Sequence, residues 1–322
     1  MQPSSIEQAR RYIHTLLRSI QLHHLVPADF YESVITLAAR CLATVEVQFG
    51  RDAMHPGIIN GHVEHNLPAT YHNAIHTRTM MMRDSLAYAS MRSLYDGAEA
   101  FSAHDQMLLL LAASCHDIIQ GNGRGTDEHA SASLARQLME EHAYHFTEED
   151  CDKVYHAILA TVFNPITKEQ AVTLSRPYPH MQEALAIGDL LSLCRPDGPV
   201  HAIAHVPEFF LSQQSTYEQV MRHEAARDGF ALAGKNLVDY LRYIGTNRTL
   251  RETFGRLLAD QAAFFRNHAF WDPRVDDWFA GRTSNANFMQ YKLAPDYTAG
   301  TITPLDAYEL AKARARVLFC RI

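Results

Sequence analysis

The stretch MLLLLAASCHDIIQ, residues 107–120, constrains this chain more than any other. A helix apolar on every face must be buried, because no side of it can be given to water. Yet this one runs into an adjacent base and acid, His116 and Asp117, and then into two isoleucines. A carboxylate in such a place is costly unless it is paired or bound to a cation. The fold therefore has to deliver a counter-charge to the end of this helix.

Two further stretches pose the same demand. In QEALAIGDLLSLC, residues 182–194, Asp189 sits among Leu185, Ile187, Leu190, Leu191 and Leu193 with no Lys or Arg within five positions on either side. In PATYHNAIHTRTMMM, residues 68–82, His72 and His76 stand at i and i+4 on one helix face, just ahead of three methionines that carry the helix into the core. Three separated helices thus bring imidazole or carboxylate into an apolar interior. Convergence on one cation, with His76, His116, Asp117 and Asp189 as ligands, accounts for all three. Each element taken singly has a plain structural alternative, a satisfied core histidine or a carboxylate neutralised by a distant Arg. The second His-Asp pair, His104-Asp105, lies at a polar helix start and reads as a capping segment.

The remainder reads as helix after helix. Helical spacing covers about 5–25, 27–49, 70–92, 104–119, 127–143, 147–163, 179–193, 213–243, 249–266 and 304–318. Residues 50–69, rich in Gly, Pro, His and Asn, read as a loop, and AVTLSRPYP (171–179) as a loop broken by its prolines. The tract 271–300 reads as a packed irregular segment. An all-α fold follows.

Composition narrows the function classes. A net charge of −7 argues against a dedicated nucleic-acid binder, which needs a basic surface to displace counterions. It leaves room for a phosphate-bearing substrate, since a metal ion reverses the local field. Nineteen histidines raise the expectation of a metal site. The five cysteines, Cys41, Cys115, Cys151, Cys194 and Cys320, form no CxxC pair and suggest reduced thiols rather than a disulfide framework. The N-terminal stretch lacks the apolar core of a signal peptide, and the longest apolar run, Met107 to Cys115, is too short to span a membrane. A cytoplasmic chain without membrane or nucleic-acid partners is the expectation, with oligomeric state unread.

The order His … His-Asp … Asp on helices resembles the HD-domain superfamily of metal-dependent phosphohydrolases. YHNAIH (71–76) is similar to the YHNxxH segment of the 3′,5′-cyclic nucleotide phosphodiesterases and of bacterial HD hydrolases. AASCHDII (112–119) resembles the helix that names the superfamily, and DEHASASLARQL (127–138), VYHAILAT (154–161) and AIGDLLSL (186–193) resemble the helices that follow. The resemblance spans about residues 68–195. It departs from the phosphodiesterases at Gln120, where they carry a further histidine, and in the loop GNGRGTDE (121–128), which replaces their proline-glycine stretch.

The resemblance implies an HD-type helical bundle: N-terminal helices over 1–55, a hydrolase core over 56–210 and a C-terminal helical extension over 211–322. It places His76, His116, Asp117 and Asp189 on the metal-ligand positions and His72 on that of the acid protonating the leaving oxygen, with Asn73 and Tyr71 matching their neighbours. Asp117 also becomes a candidate to hold the attacking water. Glu128 is a candidate base or a simple first-turn charge. Arg124 is a candidate phosphate contact or part of a connector, and Arg195 and Lys153 are more distant ones. The mixed N/O donor set suits Mn, Fe, Zn, Ni or Co, as one ion or two, with Mg a candidate for a second site; His129, His142, His145 and His156 are available for that site. The expected substrate is a small phosphate ester, a nucleotide among the candidates. The alternatives are an HD-type di-iron oxygenase and a non-catalytic nucleotide- or partner-binding domain. Phe209, Phe210, Tyr217, Phe264, Phe265 and Trp271 could stack on a base, with core packing the plainer role.

Overall fold

In the computed structural model the chain is all-α. The structure describes residues 5–320 apart from 50–53, 60–61, 69–75, 98–99, 121–124, 143, 165–168, 174–175, 212–215 and 233. It divides into two compact units, one of residues 1–50 and 72–190, the other of 51–71 and 191–322. The expected hydrolase core of 56–210 thus straddles the division, and the region of the candidate ligands falls wholly in the first unit.

The first unit holds α1 (Ser5–Ser19), α2 (Ala28–Phe49), a π-helical stretch His76–Met82 continuing into α3 (Arg83–Asp96), then α4 (Ala103–Cys115), α5 (Thr126–Glu140), α6 (Glu148–Leu159) and α7 (Pro179–Leu190). Between α6 and α7 lie two short paired strands, β3 (Phe163–Asn164) and β4 (Glu169–Gln170). In α1 a single stripe of Ala9, Ile13 and Leu17 is buried, the four-residue spacing of one helix face. α4 behaves differently: every residue from Gln106 to Cys115 is buried, so this helix is the centre around which the unit packs. α2 packs on α4, and α3 packs on α7.

Local chemistry fixes the helix starts. Ser102 Oγ accepts the Asp105 N–H at 3.0 Å, which makes SAHD the expected capping segment. Thr147 and Asp150 form a reciprocal capping box at α6: Thr147 Oγ1 accepts the Asp150 N–H at 3.1 Å and Asp150 Oδ2 accepts the Thr147 N–H at 2.9 Å. Asp150 Oδ1 also lies 2.7 Å from His104 Nε2, tying the starts of α4 and α6 together.

The second unit contains an antiparallel hairpin, β1 (Met54–Ile59) with β2 (His62–Pro68), pairing Met54 with Pro68 and Ile59 with His62 and irregular between His55 and Gly57. Residues 50–69 are therefore not a plain loop. Pro56 lacks a ladder donor, and the register breaks there, so the segment reads as unstructured while still pairing on both sides of the break. The unit continues with α8 (Gly198–Leu211), α9 (Thr216–Asp228), α10 (Leu237–Thr246), α11 (Arg248–Asn267), α12 (Val275–Trp278), α13 (Arg282–Phe288), a π-helical stretch Met289–Leu293, α14 (Ala294–Thr298) and α15 (Pro304–Phe319).

Three sequence expectations change here. The helical segment expected at 213–243 breaks into α9 and α10, with Gly229 at φ 69° ending the first and Asn236 capping the second. α8 had no counterpart in the sequence reading, and the irregular tract 271–300 is largely short helices. Phe210 and Phe265 are core of this unit, while Trp271 is partly exposed. Among the described residues no helix is long and apolar enough to cross a membrane.

Candidate metal centre

His76 opens the π-helical stretch, followed by Met80, Met81 and Met82, all fully buried. Such wide turns recur at functional sites because they redirect a side chain from the regular helical row. His116 is the C-cap of α4, so the all-apolar helix drives it into the interior and Asp117 follows one step beyond. Asp189 lies one residue before the end of α7. The residue ahead of it, Gly188, is where α7 meets α3: a Cβ there would come within 2.9 Å of the Ser85 Cα. Only glycine permits that approach, which sets the depth at which Asp189 enters the site.

His76 Nε2 lies 3.3 Å from His116 Nε2 and 3.3 Å from Asp189 Oδ1. Asp117 Oδ2 lies 2.8 Å from His116 Nε2 and 3.5 Å from His76 Nε2. The donor atoms of His76, His116 and Asp189 all fall within 4.8 Å of one another, so these three could hold a metal ion. The spacing fits a coordination shell. Ligands about 2.0–2.1 Å from one ion at tetrahedral angles stand roughly 3.4 Å apart, and at right angles roughly 3.0 Å. Asp117 adjoins this group through the two imidazoles without being one of its three mutually close donors.

The surroundings orient these donors. His116 Nδ1 is 2.9 Å from the Ala113 carbonyl oxygen, which places the proton on Nδ1 and leaves Nε2 for the site. Gln170, on β4, donates from Nε2 to Asp189 Oδ2 at 3.0 Å, so one oxygen of Asp189 is held while the other faces His76. Both imidazoles are buried, and the carboxylates of Asp117 and Asp189 keep 17% and 20% of their surface in solvent. The protein thus encloses the nitrogen side of the site and opens it on the oxygen side.

Burial is the largest influence on both imidazoles and acts to discharge them. For His76 it prevails over the attraction of Asp189 and Asp117, and the pKa falls below the ordinary 6.5. For His116 the carboxylates of Asp117 and Asp189, with the Ala113 carbonyl, outweigh burial, and the pKa rises. Without an ion, His76 gives up its proton more readily than an ordinary imidazole and His116 holds its own more firmly.

Of the remaining candidates, His72, Asn73 and Arg124, together with Tyr71, lie outside the described residues. Glu128 Oε2 accepts the Gly125 N–H at 2.6 Å, closing the first turn of α5. Its pKa is raised, by burial first, against the backbone N–H groups that lower it and with Asp117 adding to the rise. Lys153 pairs with Asp105 at 3.0 Å and Glu149 at 3.2 Å, and Arg195 with Asp197 at 3.0 Å. Among the described residues His129, His142, His145 and His156 join no comparable donor group. Gln170 is the site residue that the sequence did not reveal. Nothing in its local pattern distinguishes it from any other polar residue before a proline-broken loop. No family model, curated protein or solved structure matches this chain significantly.

Proposed function

We propose that this chain is a metal-dependent phosphohydrolase of the HD-domain type, acting on a nucleotide or another small phosphate ester. The observation that carries the reading is the meeting of His76, His116 and Asp189 donor atoms within 4.8 Å, from three separated helical elements, with Asp117 against both imidazoles. The order His … His-Asp … Asp along the chain is the order the superfamily uses. A structural ion pair would need neither two imidazoles at 3.3 Å nor a glutamine holding the outer carboxylate oxygen.

The cation proposed is a divalent transition metal, Mn, Fe, Zn, Ni or Co, held by His76, His116, Asp189 and Asp117. When bound, it supplies Lewis acidity towards a phosphoryl oxygen and acidifies a water. The chain supplies the rest. Asp117 and Asp189 present partly exposed carboxylate edges that accept hydrogen bonds from water and confine it on the open side. His72, four positions before His76, is assigned the proton donated to the leaving oxygen. Asn73 and Arg124 are assigned to the substrate. Glu128, engaged at the α5 turn, is assigned to hold that turn next to Asp117.

Hydrolysis of bis-p-nitrophenyl phosphate by the purified protein supplied with Mn²⁺ tests this. The expected result is turnover that is lost in His116→Ala and in Asp117→Ala. Full activity in both variants contradicts the reading.

A further inference from the structure

One feature of the first unit has no part in the chemistry above. Cys41, from the middle of α2, and Cys115, the last residue of α4, are both 1% exposed and place their Sγ atoms 3.2 Å apart. They are 74 positions apart in sequence, so the contact is made by the packing of the two helices and not by chain proximity. Cys115 is covalently next to His116, and its peptide leads directly to the His116-Asp117 pair. Any movement of the Cys115 backbone towards α2 is therefore felt by His116 and Asp117.

We infer that Cys41 and Cys115 form a reversible disulfide that switches the metal centre, with hydrogen peroxide or an organic hydroperoxide as the oxidant. This rests on the centre proposed above and adds its regulation. In the first step one thiol attacks the peroxide: its sulfur takes up oxygen to become a sulfenic acid, the O–O bond breaks, and water (or the alcohol) leaves. In the second step the other thiol attacks that sulfur, the S–S bond forms, and a further water carries away the oxygen. The two thiols lose two electrons and the peroxide gains them. A small dithiol returns the pair to its reduced state by thiol–disulfide exchange when α2 and α4 part locally.

The consequence follows from distances. A disulfide sets its sulfurs about 2.0 Å apart, so closing the observed gap of 3.2 Å brings the sulfurs together by roughly 1 Å, shared between side-chain rotation and a shift of the two helices. Metal coordination tolerates departures of only about 0.2 Å from its preferred bond lengths. α2 contributes no donor to the cluster, whereas α4 ends in two. The share of the movement taken by α4 pulls His116 and Asp117 away from His76 and Asp189, and metal affinity falls.

The test uses the full-length protein loaded with Zn²⁺, which is redox-inert, so that an oxidant acts on the protein alone. Hydrogen peroxide, or diamide in a parallel arm, is added, free thiols are blocked, and the digest is mapped by mass spectrometry. Zinc release is followed in the same sample with a chromogenic chelator. The expected result is a Cys41–Cys115 linked peptide, a loss of zinc affinity of roughly tenfold or more, the scale typical when groups supporting a ligand are disturbed, and recovery of both on adding dithiothreitol. Cys41→Ser is expected to hold zinc and to release none on oxidation. The cycle of oxidation and reduction on the unaltered chain decides the matter even if that variant folds poorly. Oxidation without the linked peptide overturns the inference. So does a linked peptide with zinc affinity unchanged, or equal zinc release from Cys41→Ser. A reduced protein that binds no zinc counts against the metal centre and ends the regulatory claim, while the peptide map still reads the thiol chemistry separately.

Discussion

Gly188→Ala is a single methyl group whose effect can be worked out from the packing of α7 on α3. The added Cβ would stand 2.9 Å from both Cα and Cβ of Ser85. Carbon atoms rest about 3.5–4.0 Å apart, so the helices must separate by roughly 0.6–1.1 Å. The Ser85 Cα is backbone and cannot rotate away. Overpacking of this kind costs about 1–3 kcal/mol. Alanine's better helix propensity returns about 1 kcal/mol, which leaves a net destabilisation of about 0–2 kcal/mol. The same separation withdraws Asp189 from His76 by several times the roughly 0.2 Å that coordination tolerates, and a fall in metal affinity of about ten- to hundredfold is expected. Far-UV circular dichroism during urea unfolding reads the stability, and zinc titration reads the affinity. Both tryptophans, Trp271 and Trp278, lie in the second unit, so their fluorescence reports on the unit that the substitution leaves alone. A variant made about 1 kcal/mol more stable, as propensity alone dictates, with zinc affinity unchanged, would refute the account of Gly188.

Other perturbations give separate readings. Gln170→Leu removes the donor to Asp189 Oδ2 and is expected to weaken metal binding about ten- to hundredfold with little change in unfolding; unaltered affinity would show that Asp189 needs no such support. Because the His116 pKa is raised, an incoming metal competes there with a proton held more firmly than on an ordinary imidazole. Apparent metal affinity is therefore expected to climb as pH passes upward through that raised value, with proton release seen by calorimetry in buffers of different ionisation enthalpy. In the ion-free protein the same proton stabilises the fold below the ordinary imidazole value of 6.5, and this contribution is lost as pH rises through the raised one. The lowered pKa of His76 acts with the opposite sign, removing stability as pH falls below the ordinary value. In the second unit, Asn247 caps α11 by accepting the Leu250 N–H at 3.0 Å and donates to Glu224 and Asp228, each at 2.7 Å. Asn247→Ala is expected to cost about 2–4 kcal/mol, read by tryptophan fluorescence, and a loss below about 0.5 kcal/mol would contradict that role.

The all-α class was legible because the helices announce themselves by period. Ala9, Ile13 and Leu17 form one stripe, and 107–115 is apolar throughout. The donors His76, His116 and Asp189 were legible for the opposite reason: each is a polar residue where the surrounding pattern forbids one, and burial makes that costly. Gln170 left no such mark, since an uncharged amide on a short strand violates no pattern. Its importance exists only through the tertiary contact with Asp189. The hairpin Met54–Pro68 was hidden by Pro56 and Gly57, which depress strand propensity at the place where the register breaks. α8 escaped because Pro207 sits inside it and reads as a stop. The long helix expected over 213–243 fails at Gly229, where a positive φ ends α9. The contact between Cys41 and Cys115 was equally unreadable, because their spacing in sequence carries no information about two helices meeting.

The central claim is that His76, His116 and Asp189 share a cation, and metal content measures it most directly. Elemental analysis of the purified chain beside His76→Ala, His116→Ala and Asp189→Asn, each checked for folding by circular dichroism, is the decisive comparison. Stoichiometric divalent transition metal in the unaltered protein and its loss in all three folded variants is the predicted result. An unaltered protein that neither carries nor takes up such a metal, or folded variants that keep it, would contradict the account.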